Sequence, residues 1–274
     1  MASSSRPPRL AGAIFDIDGV LVDSPHEQAW REALLQLMEG DWRELRRGTS
    51  YAPERFTHEF YQEIMAGKPR MAGARAALEA LGVPEAERRA IEYAERKQQR
   101  VVELIAAGEF HAYPDALRFL LAVKRAGLRI ASASSSKNAR PMLERIRLDV
   151  FASEQGMEDP PVREGLTLME AFDADVTGRD FARGKPDPMI FLAAAAELGL
   201  PPAACVVIED APAGIEAAKG GGMVALAVAR ELDASMLHQA GADLVVHTLD
   251  GVNPQGLARG LLEPLAPEGS SEQR

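Results

Sequence analysis

Short runs of apolar and β-branched residues alternate along much of this chain with longer stretches of helical period. The runs are "AGAIFD" (11–16), "LRIASAS" (128–134), "ACVVIED" (204–210), "MVALAV" (223–228) and "DLVVHT" (243–248), with "FDADVTG" (172–178) as a weaker sixth. Near-continuous apolar runs bounded by turn residues are the mark of strands covered on both faces. Between them lie "DALRFLLAVKRAG" (115–127), "PMIFLAAAAELG" (188–199) and "AGIEAAKGGG" (213–222), each with the spacing of a helix that buries one side. Gly127 and Gly199 stand where helices end, and Asp115 is placed to cap the start of its helix. Strands alternating with helices predict an α/β fold with a parallel sheet between helical layers.

Residues 24 to about 110 break this rhythm. "PHEQAWREALLQLM", "PERFTHEFYQEIM", "ARAALEALG" and "EAERRAIEYAERKQQRVVELIAAG" all read as helix, and no strand stands among them. An all-helical insert after the first strand explains the interruption. The chain leaves the sheet near Val22 and returns near "HAYPDA" (111–116), so these two crossings form a natural hinge. The expected division is a core of 1–23 with 111–274 and a helical unit of 24–110. "SEQGMEDPPVREGLTLME" (153–170) reads as a surface loop with a helical turn, and the tail "APEGSSEQR" as disordered. There is no internal repeat.

Composition narrows the choice of partners. A net charge of −10 and a pI near 5.1 argue against a nucleic-acid or anionic-membrane surface. No apolar run approaches the roughly 18 residues of a membrane span, and no secretory apolar region follows the N-terminal "MASSSRPPRL", which reads as a frayed terminus. The single Cys205 excludes an intramolecular disulfide framework and lies in a strand-like run, so it is expected to be buried in a cytoplasmic, monomeric protein.

In an open parallel sheet, ligands bind beyond the carboxyl ends of the strands. Asp16 and Asp18 follow the first strand, and Ser134, Ser135, Ser136, Lys137 and Asn138 follow the second. Lys185 comes from "ARGKPDP", and Glu209 with Asp210 end "CVVIED". Taken singly, each cluster has an ordinary reading: turn chemistry for "DIDG", a helix-capping loop for "SASSSKN", an exposed turn lysine for "GKPDP", a helix cap for "EDAPAG". An EF-hand is excluded because a strand precedes "DIDG" and the later ligands are missing. Four such clusters in chain order, each at or near a strand end, instead form an inventory for moving a phosphoryl group with a divalent ion. Carboxylates share a small site only if a cation offsets their repulsion, and Mg2+ prefers oxygen ligands. Asp16, nearest the strand end, suits a nucleophile, and Asp18, on the departing turn, suits a general acid and base. Ser134 and Lys185 suit contacts to the transferring oxygens. Asp16, a carbonyl near Asp18, Glu209 and Asp210 suit the metal.

"FDIDGVLVDS", "IASASSSKN", "GKPDP" and "VVIEDAPAGIEAA" resemble the four motifs of the haloacid dehalogenase superfamily of phosphotransferases. The resemblance covers roughly 11–24 and 111–230, and it implies a Rossmann-like core with an α-helical cap inserted after the first motif. It implies the same roles for Asp16, Asp18, Ser134, Lys185, Glu209 and Asp210, with Mg2+ as cofactor.

Within the superfamily the chain is most similar to the β-phosphoglucomutase group. Ser135, Ser136, Lys137 and Asn138 then fall on that group's substrate loop. "PHEQAW" is similar to its His-x-x-x-Trp segment, which gives His26 and Trp30. "GKPRM" is similar to its phosphate-gripping loop, giving Lys68 and Arg70, and "AERKQQ" to a cap helix whose Lys97 and Gln98 face substrate. Pro69 stands where that loop carries a serine, Lys68 is displaced from the usual lysine, and the 153–170 segment is longer than expected. The implied activity is interconversion of β-D-glucose 1-phosphate and glucose 6-phosphate through an aspartyl phosphate on Asp16. Alternatives are a sugar-phosphate phosphatase on the same core and a phosphosugar-binding protein without catalysis.

Overall fold

The computed structural model describes residues 9–157, 162–230 and 234–265; residues 1–8 of the terminus expected to fray and the tail 266–274 lie outside the described residues, whereas Leu10 is buried. The first strand, β1 (Gly12–Phe15), is followed by β2 (Val22–Asp23) and then by five helices: α1 (His26–Glu39), α2 (Arg43–Arg46), α3 (His58–Ile64), α4 (Arg70–Ala80) and α5 (Ala86–Ala107). The chain returns through β3 (His111–Ala112), α6 (Pro114–Arg125), β4 (Arg129–Ser132), α7 (Ala139–Arg145), α8 (Leu148–Glu154), α9 (Leu168–Ala171) and β5 (Ala174–Asp175). It ends with α10 (Met189–Glu197), β6 (Cys205–Glu209), α11 (Pro212–Gly220), β7 (Val224–Val228), α12 (Ala234–Gln239), β8 (Leu244–Val246) and α13 (Pro254–Ala258).

Six strands form one parallel sheet in the order β5-β4-β1-β6-β7-β8, an α/β Rossmann-like arrangement. The chain winds outwards from β1 through β4 to β5, then crosses back to β6. The order therefore reverses between β1 and β6, and the carboxyl ends of those two strands open the crevice where ligands bind in such sheets. Alternating side chains sort the buried strands into two layers. Ala13, Phe15, Ile130, Val206, Ile208, Leu226 and Val228 join one cluster with α6, whereas Ile14, Ala131, Val207, Ala225 and Ala227 join the other with α10 and α11. The second layer is alanine-rich on both sides. Phe15 anchors the first, edge-on to Phe119 at 6.2 Å and to Phe172 at 6.4 Å.

The helices between β2 and β3 form an inserted α-helical cap with a hydrophobic cluster of its own, around Trp30, Leu34, Leu37, Trp42, Leu78 and Tyr93. The outgoing and returning segments pair antiparallel, Val22 with Ala112 and Asp23 with His111. Yet the cap is not merely tethered by two strands. Ala29 of α1 and Val101, Leu104 and Ile105 of α5 are buried in the cluster of the core.

Several sequence expectations change in detail. "PERFTHEFYQEIM" is a short 3-10 turn and then α3, because Thr57 restarts the helix by accepting the Phe60 N–H at 3.1 Å. Asp115 does not cap α6: Tyr113 takes that position, Pro114 opens the helix, and the Asp115 carboxylate binds Arg230, Thr248 and Leu249 instead. The 153–170 segment is more than a surface loop, since Thr167 and Glu170 form a capping box for α9 and Leu168 and Ala171 are buried; residues 158–161 lie outside the described residues. Gly127 and Gly199 do close α6 and α10, with φ of 85° and 66°. Cys205 is fully buried, and burial pushes its thiol up to about 11. No helix among the described residues is long and apolar enough to cross a membrane.

Because Phe15 has no exposed surface, its truncation leaves a cavity at the centre of the sheet. Phe15→Ala is expected to cost about 3–5 kcal/mol in urea denaturation. Ile91→Ala, at a helix position 53% exposed, is expected to change stability by less than about 0.5 kcal/mol.

Candidate active site

The end of β1 is extended by one further ladder bond, from the Asp16 N–H to the Ile208 carbonyl at 3.0 Å. This fixes Asp16 beside β6 before the chain turns away. The turn then closes on itself: the Leu21 and Val22 N–H groups both donate to the Ile17 carbonyl at 2.9 Å, and the Gly19 N–H to the Val22 carbonyl at 2.8 Å. Gly19 is required twice over. Its φ is +81°, and a Cβ there would lie 1.9 Å from Asp210 Oδ2.

Lys185 projects into the same crevice and is 3% exposed, its Nζ 4.9 Å from the Phe191 ring centroid. Nζ stands 3.0 Å from Asp16 Oδ1 and donates to Glu209 Oε1. Glu209 is fully buried. Its Oε2 accepts the N–H groups of Asp210 at 2.9 Å and Ala211 at 3.0 Å, and its carboxylate fills the space a Cβ on Gly214 would need. Four carboxylates, Asp16, Asp18, Glu209 and Asp210, thus gather at one crevice, and the Lys185 ammonium pairs with two of them, Asp16 and Glu209. Burial pushes Asp16 up to about 8, opposed by Lys185 and assisted by Glu209 and Asp18. Asp210 is held well above the usual carboxylate range by burial, then by Glu209 and Asp16. Burial disfavours the Lys185 charge too, but Asp16 and Glu209 outweigh it and keep the ammonium protonated beyond its ordinary range.

This excess of negative charge fits a divalent cation. Asp16, Glu209 and Asp210 each offer a carboxylate oxygen, all within 4.8 Å of one another. Asp16 Oδ1 is buried without an aligned hydrogen bond, so it has lone pairs to give. An all-oxygen donor set suits a hard cation such as Mg2+. Glu209 contributes least, because both its oxygens already hold Lys185 or backbone amides. The Asp18 side chain stands outside this trio, and its Oδ2 accepts the Ser134 hydroxyl at 3.1 Å.

A second polar row faces the first. The Ser134 hydroxyl also accepts the Ser136 N–H at 3.0 Å, and Ser136 Oγ lies 2.8 Å from His26 Nε2. His26 Nε2 is in turn 3.5 Å from Asp18 Oδ1. Burial, with Lys97 adding and Asp18 opposing, lowers His26 to about 4, so the ring is neutral at pH 7. Across the cleft, Gln98 Nε2 donates to Asn138 Oδ1 at 2.9 Å, and Arg70 Nη1 to Gln98 Oε1 at 2.5 Å. Lys97, 4% exposed, has its Nζ 5.0 Å from the centroid of the Trp30 ring, which is itself edge-on to Tyr93. Burial depresses Lys97 to about 7, Asp18 opposing and Arg70 assisting.

All sixteen residues named from the sequence, except Glu209, line one cleft of about 630 Å³ between cap and core; Glu209 lies beneath its floor. Two are turned to other partners. Lys68 Nζ donates to the Ile64 carbonyl at 2.6 Å, and the exposed Lys137 pairs with Asp180 at 2.8 Å. Among the further lining residues that the sequence reading did not name are Tyr61, Gln62, Asp180 and Arg230. Arg230 had a signal, since it follows the fourth apolar run closely. Asp180 had the same signal after the weaker sixth run, whereas Tyr61 and Gln62 sit in a helical segment with no strand end or motif to mark them.

A Rossmann-like sheet whose switch point holds four carboxylates and a lysine, roofed by a helical cap, defines a phosphoryl-transfer class of enzyme. The chain belongs to the haloacid dehalogenase-like hydrolase family, whose pattern matches residues 10–222. It is 31% identical over 258 residues to a β-phosphoglucomutase of Mycobacterium bovis, covering 89% of this chain and 91% of the relative. It is 31% identical over 247 residues to hexitol phosphatase A of Escherichia coli, covering 89% and 94%. The crystal structure of a β-phosphoglucomutase from Pyrococcus sp. strain ST 04 superposes with a TM-score of 0.64 at 30% identity, over 91% of this chain and 99% of that one. Phosphomutase or phosphatase activity on phosphorylated sugars is the common ground of these relatives.

An acid whose folded pKa exceeds its unfolded value binds more protons folded than unfolded between the two, so stability falls as pH rises across that range. For Asp16 the range runs from 3.8 to about 8. A divalent cation in the carboxylate cluster cancels this loss. With Mg2+ as probe, the rise in Tm on adding the ion is expected to be larger near pH 8 than near pH 5. Equal rises at both would place the ion elsewhere.

Proposed function

We propose that the chain is a Mg2+-dependent phosphotransferase of small phosphorylated sugars, and within that class a β-phosphoglucomutase interconverting β-D-glucose 1-phosphate and glucose 6-phosphate. The carrying observation is a cleft with two chemically different walls. The core wall holds the carboxylates with Lys185 and Ser134; the cap wall holds the buried Lys97 and the Arg70 guanidinium. A site for one reacting phosphoryl group and one distant anion suits a sugar bisphosphate.

In this reading the phosphoryl group is gripped by Lys185 and Ser134 while an Asp16 oxygen attacks phosphorus. The ester P–O bond breaks as the Asp16 P–O bond forms, and Asp18 gives its proton to the leaving sugar oxygen. In the return step Asp18 takes the proton of the other sugar hydroxyl, which attacks the aspartyl phosphate. Mg2+, held by Asp16, Asp210, Glu209 and a backbone carbonyl near Asp18, would neutralise charge on the transferring group. Lys185 opposes the effect of burial on Asp16, and a bound cation would complete its ionisation. His26, neutral and close to both Asp18 and Ser136, orients the acid and the substrate loop.

Arg70, Lys97, Ser135, Ser136 and Asn138 receive the non-transferring phosphate, with Gln98 bridging cap to core, and Lys137 joins them only by leaving its pair with Asp180. Trp30 supports Lys97, and Lys68 closes the edge of the cleft. The cap, 24–110, covers the core of 1–23 and 111–274 during transfer, excluding water that would hydrolyse the acyl phosphate. Every proposed catalytic group comes from one chain, which supports a monomeric working unit. The single buried Cys205 suits a cytoplasmic setting.

The deciding experiment supplies β-D-glucose 1-phosphate, Mg2+ and a trace of the 1,6-bisphosphate. Glucose 6-phosphate without stoichiometric phosphate release is expected. Phosphate release alone makes the enzyme a phosphatase, and no turnover makes it a binding protein. Asp16→Asn abolishes either activity.

Lys97 yields a separate prediction. Its pKa of about 7 rises when a phosphate dianion binds beside it, so binding takes up a proton and apparent affinity falls as pH rises above neutrality. Arginine keeps its charge, so Lys97→Arg should flatten the dependence of KM on pH between about 7 and 9. An unchanged profile would remove Lys97 from the anion site.

A further inference from the structure

Arg230 stands where the cap joins the core, and all three nitrogens of its guanidinium are engaged there. β7 ends at Val228, and Arg230 then reaches across the carboxyl edge of the sheet with its side chain only 14% exposed. Nε donates to the Gly19 carbonyl at 3.2 Å and Nη2 to the Val20 carbonyl at 2.8 Å. Nη1 lies 2.8 Å from both oxygens of Asp115, and Cζ lies 3.8 Å from the Tyr113 ring centroid. One planar cation thus touches both crossings: the outgoing turn at Gly19–Val20 and the returning chain at Tyr113–Asp115. A lysine, as a point charge, does not match three acceptors spread around a plane.

Asp115 is in turn held by the Thr248 hydroxyl at 2.9 Å and the Leu249 N–H at 2.8 Å, beyond the end of β8. Burial works against its charge, but Arg230, Leu249 and Thr248 prevail and keep it below the usual carboxylate range. The guanidinium is therefore fixed from the far side of the core. On its near side the Gly19–Val20 turn has little freedom, because Asp210 Oδ2 already occupies the space beside Gly19. Asp18 immediately precedes this turn.

We propose that Arg230, anchored by Asp115, is a positioning residue that holds the Gly19–Val20 carbonyls and so sets where the Asp18 carboxyl group meets the leaving oxygen. This rests on Asp18 being the general acid of the proposed reaction. Misplacing a catalytic group by about 1 Å costs on the order of 10²-fold in rate. The loss falls on the proton transfer and spares the attack by Asp16, which β1 and the Ile208 carbonyl hold independently.

The test compares first-turnover rates on two esters, with Mg2+ present. p-Nitrophenolate leaves without a proton; a sugar alkoxide needs one. Arg230→Ala should slow the sugar phosphate by at least about tenfold, inside the range of general acid catalysis. The p-nitrophenol burst and the half-saturating concentrations should stay within about twofold. Added guanidinium ion should restore part of the sugar-phosphate rate. Asp115→Asn should show the same selective loss, smaller in size. Equal loss on both esters, or no loss, overturns the proposal. Should Arg230→Ala fail to fold by circular dichroism, Arg230→Lys replaces it, and absence of leaving-group selectivity there overturns the proposal equally. Asp18→Asn runs alongside: if it lacks the selectivity, the role of Asp18 is wrong, whereas selectivity in Asp18→Asn but not in the Arg230 variants refutes Arg230 alone.

Discussion

The buried ammonium of Lys185, set between Asp16 and Glu209, is the interaction on which the rest of the site depends. Without it, β1 and β6 would bring like charges together at their carboxyl ends in a region too dry to solvate them. With it, one carboxylate is held ready for ionisation and the other is fixed. Local details then follow. Gly214 leaves room for the Glu209 carboxylate, and the Asp210 and Ala211 amides complete its hydrogen bonds. Gly19 lets the departing turn pass against Asp210. One ammonium does not balance four carboxylates, and that residue of charge is the physical argument for a divalent cation.

A second constraint is the join between cap and core. The two crossings are paired as a short antiparallel ribbon, yet the ends of α1 and α5 are buried in the core cluster. Polar contacts repeat the connection above the sheet, from Gln98 to Asn138 and from His26 to Ser136 and Asp18. These cleft-lining groups are therefore the ones that sense where the cap lies. A motion of the cap changes the hydrogen bonding of Gln98, Asn138, His26 and Ser136 together. Such coupling is what an enzyme needs if it is to expose a reactive acyl phosphate only in a closed cleft.

Much of the fold was legible because its signals are local. Continuous apolar runs mark strands buried on both faces, helical period marks the layers, and polar residues just beyond strand ends mark the ligand edge. Asp16, Asp18, Ser134, Lys185, Glu209 and Asp210 could be named for that reason. Asp115 was misread because its spacing suits a helix cap equally well, and only the fold brings Arg230 and Thr248 to it. The surface loop and helical turn read for 153–170 are both present, but the burial of Leu168 depends on helices distant in sequence.

By itself the sequence determined the α/β alternation, the helical interruption and the residue types at each strand end, since these follow from period and chemical character along the chain. Tertiary structure alone decided the order of strands, and with it which ends meet. It also decided that Lys137 turns outward to Asp180 while Lys97 is buried over Trp30, although both are lysines lining the same cleft. Charge and hydrogen-bonding capacity are properties of a residue. Desolvation and partner geometry belong to the packed molecule, and they make one lysine a surface ion pair and the other a cation poised to lose its proton near neutrality.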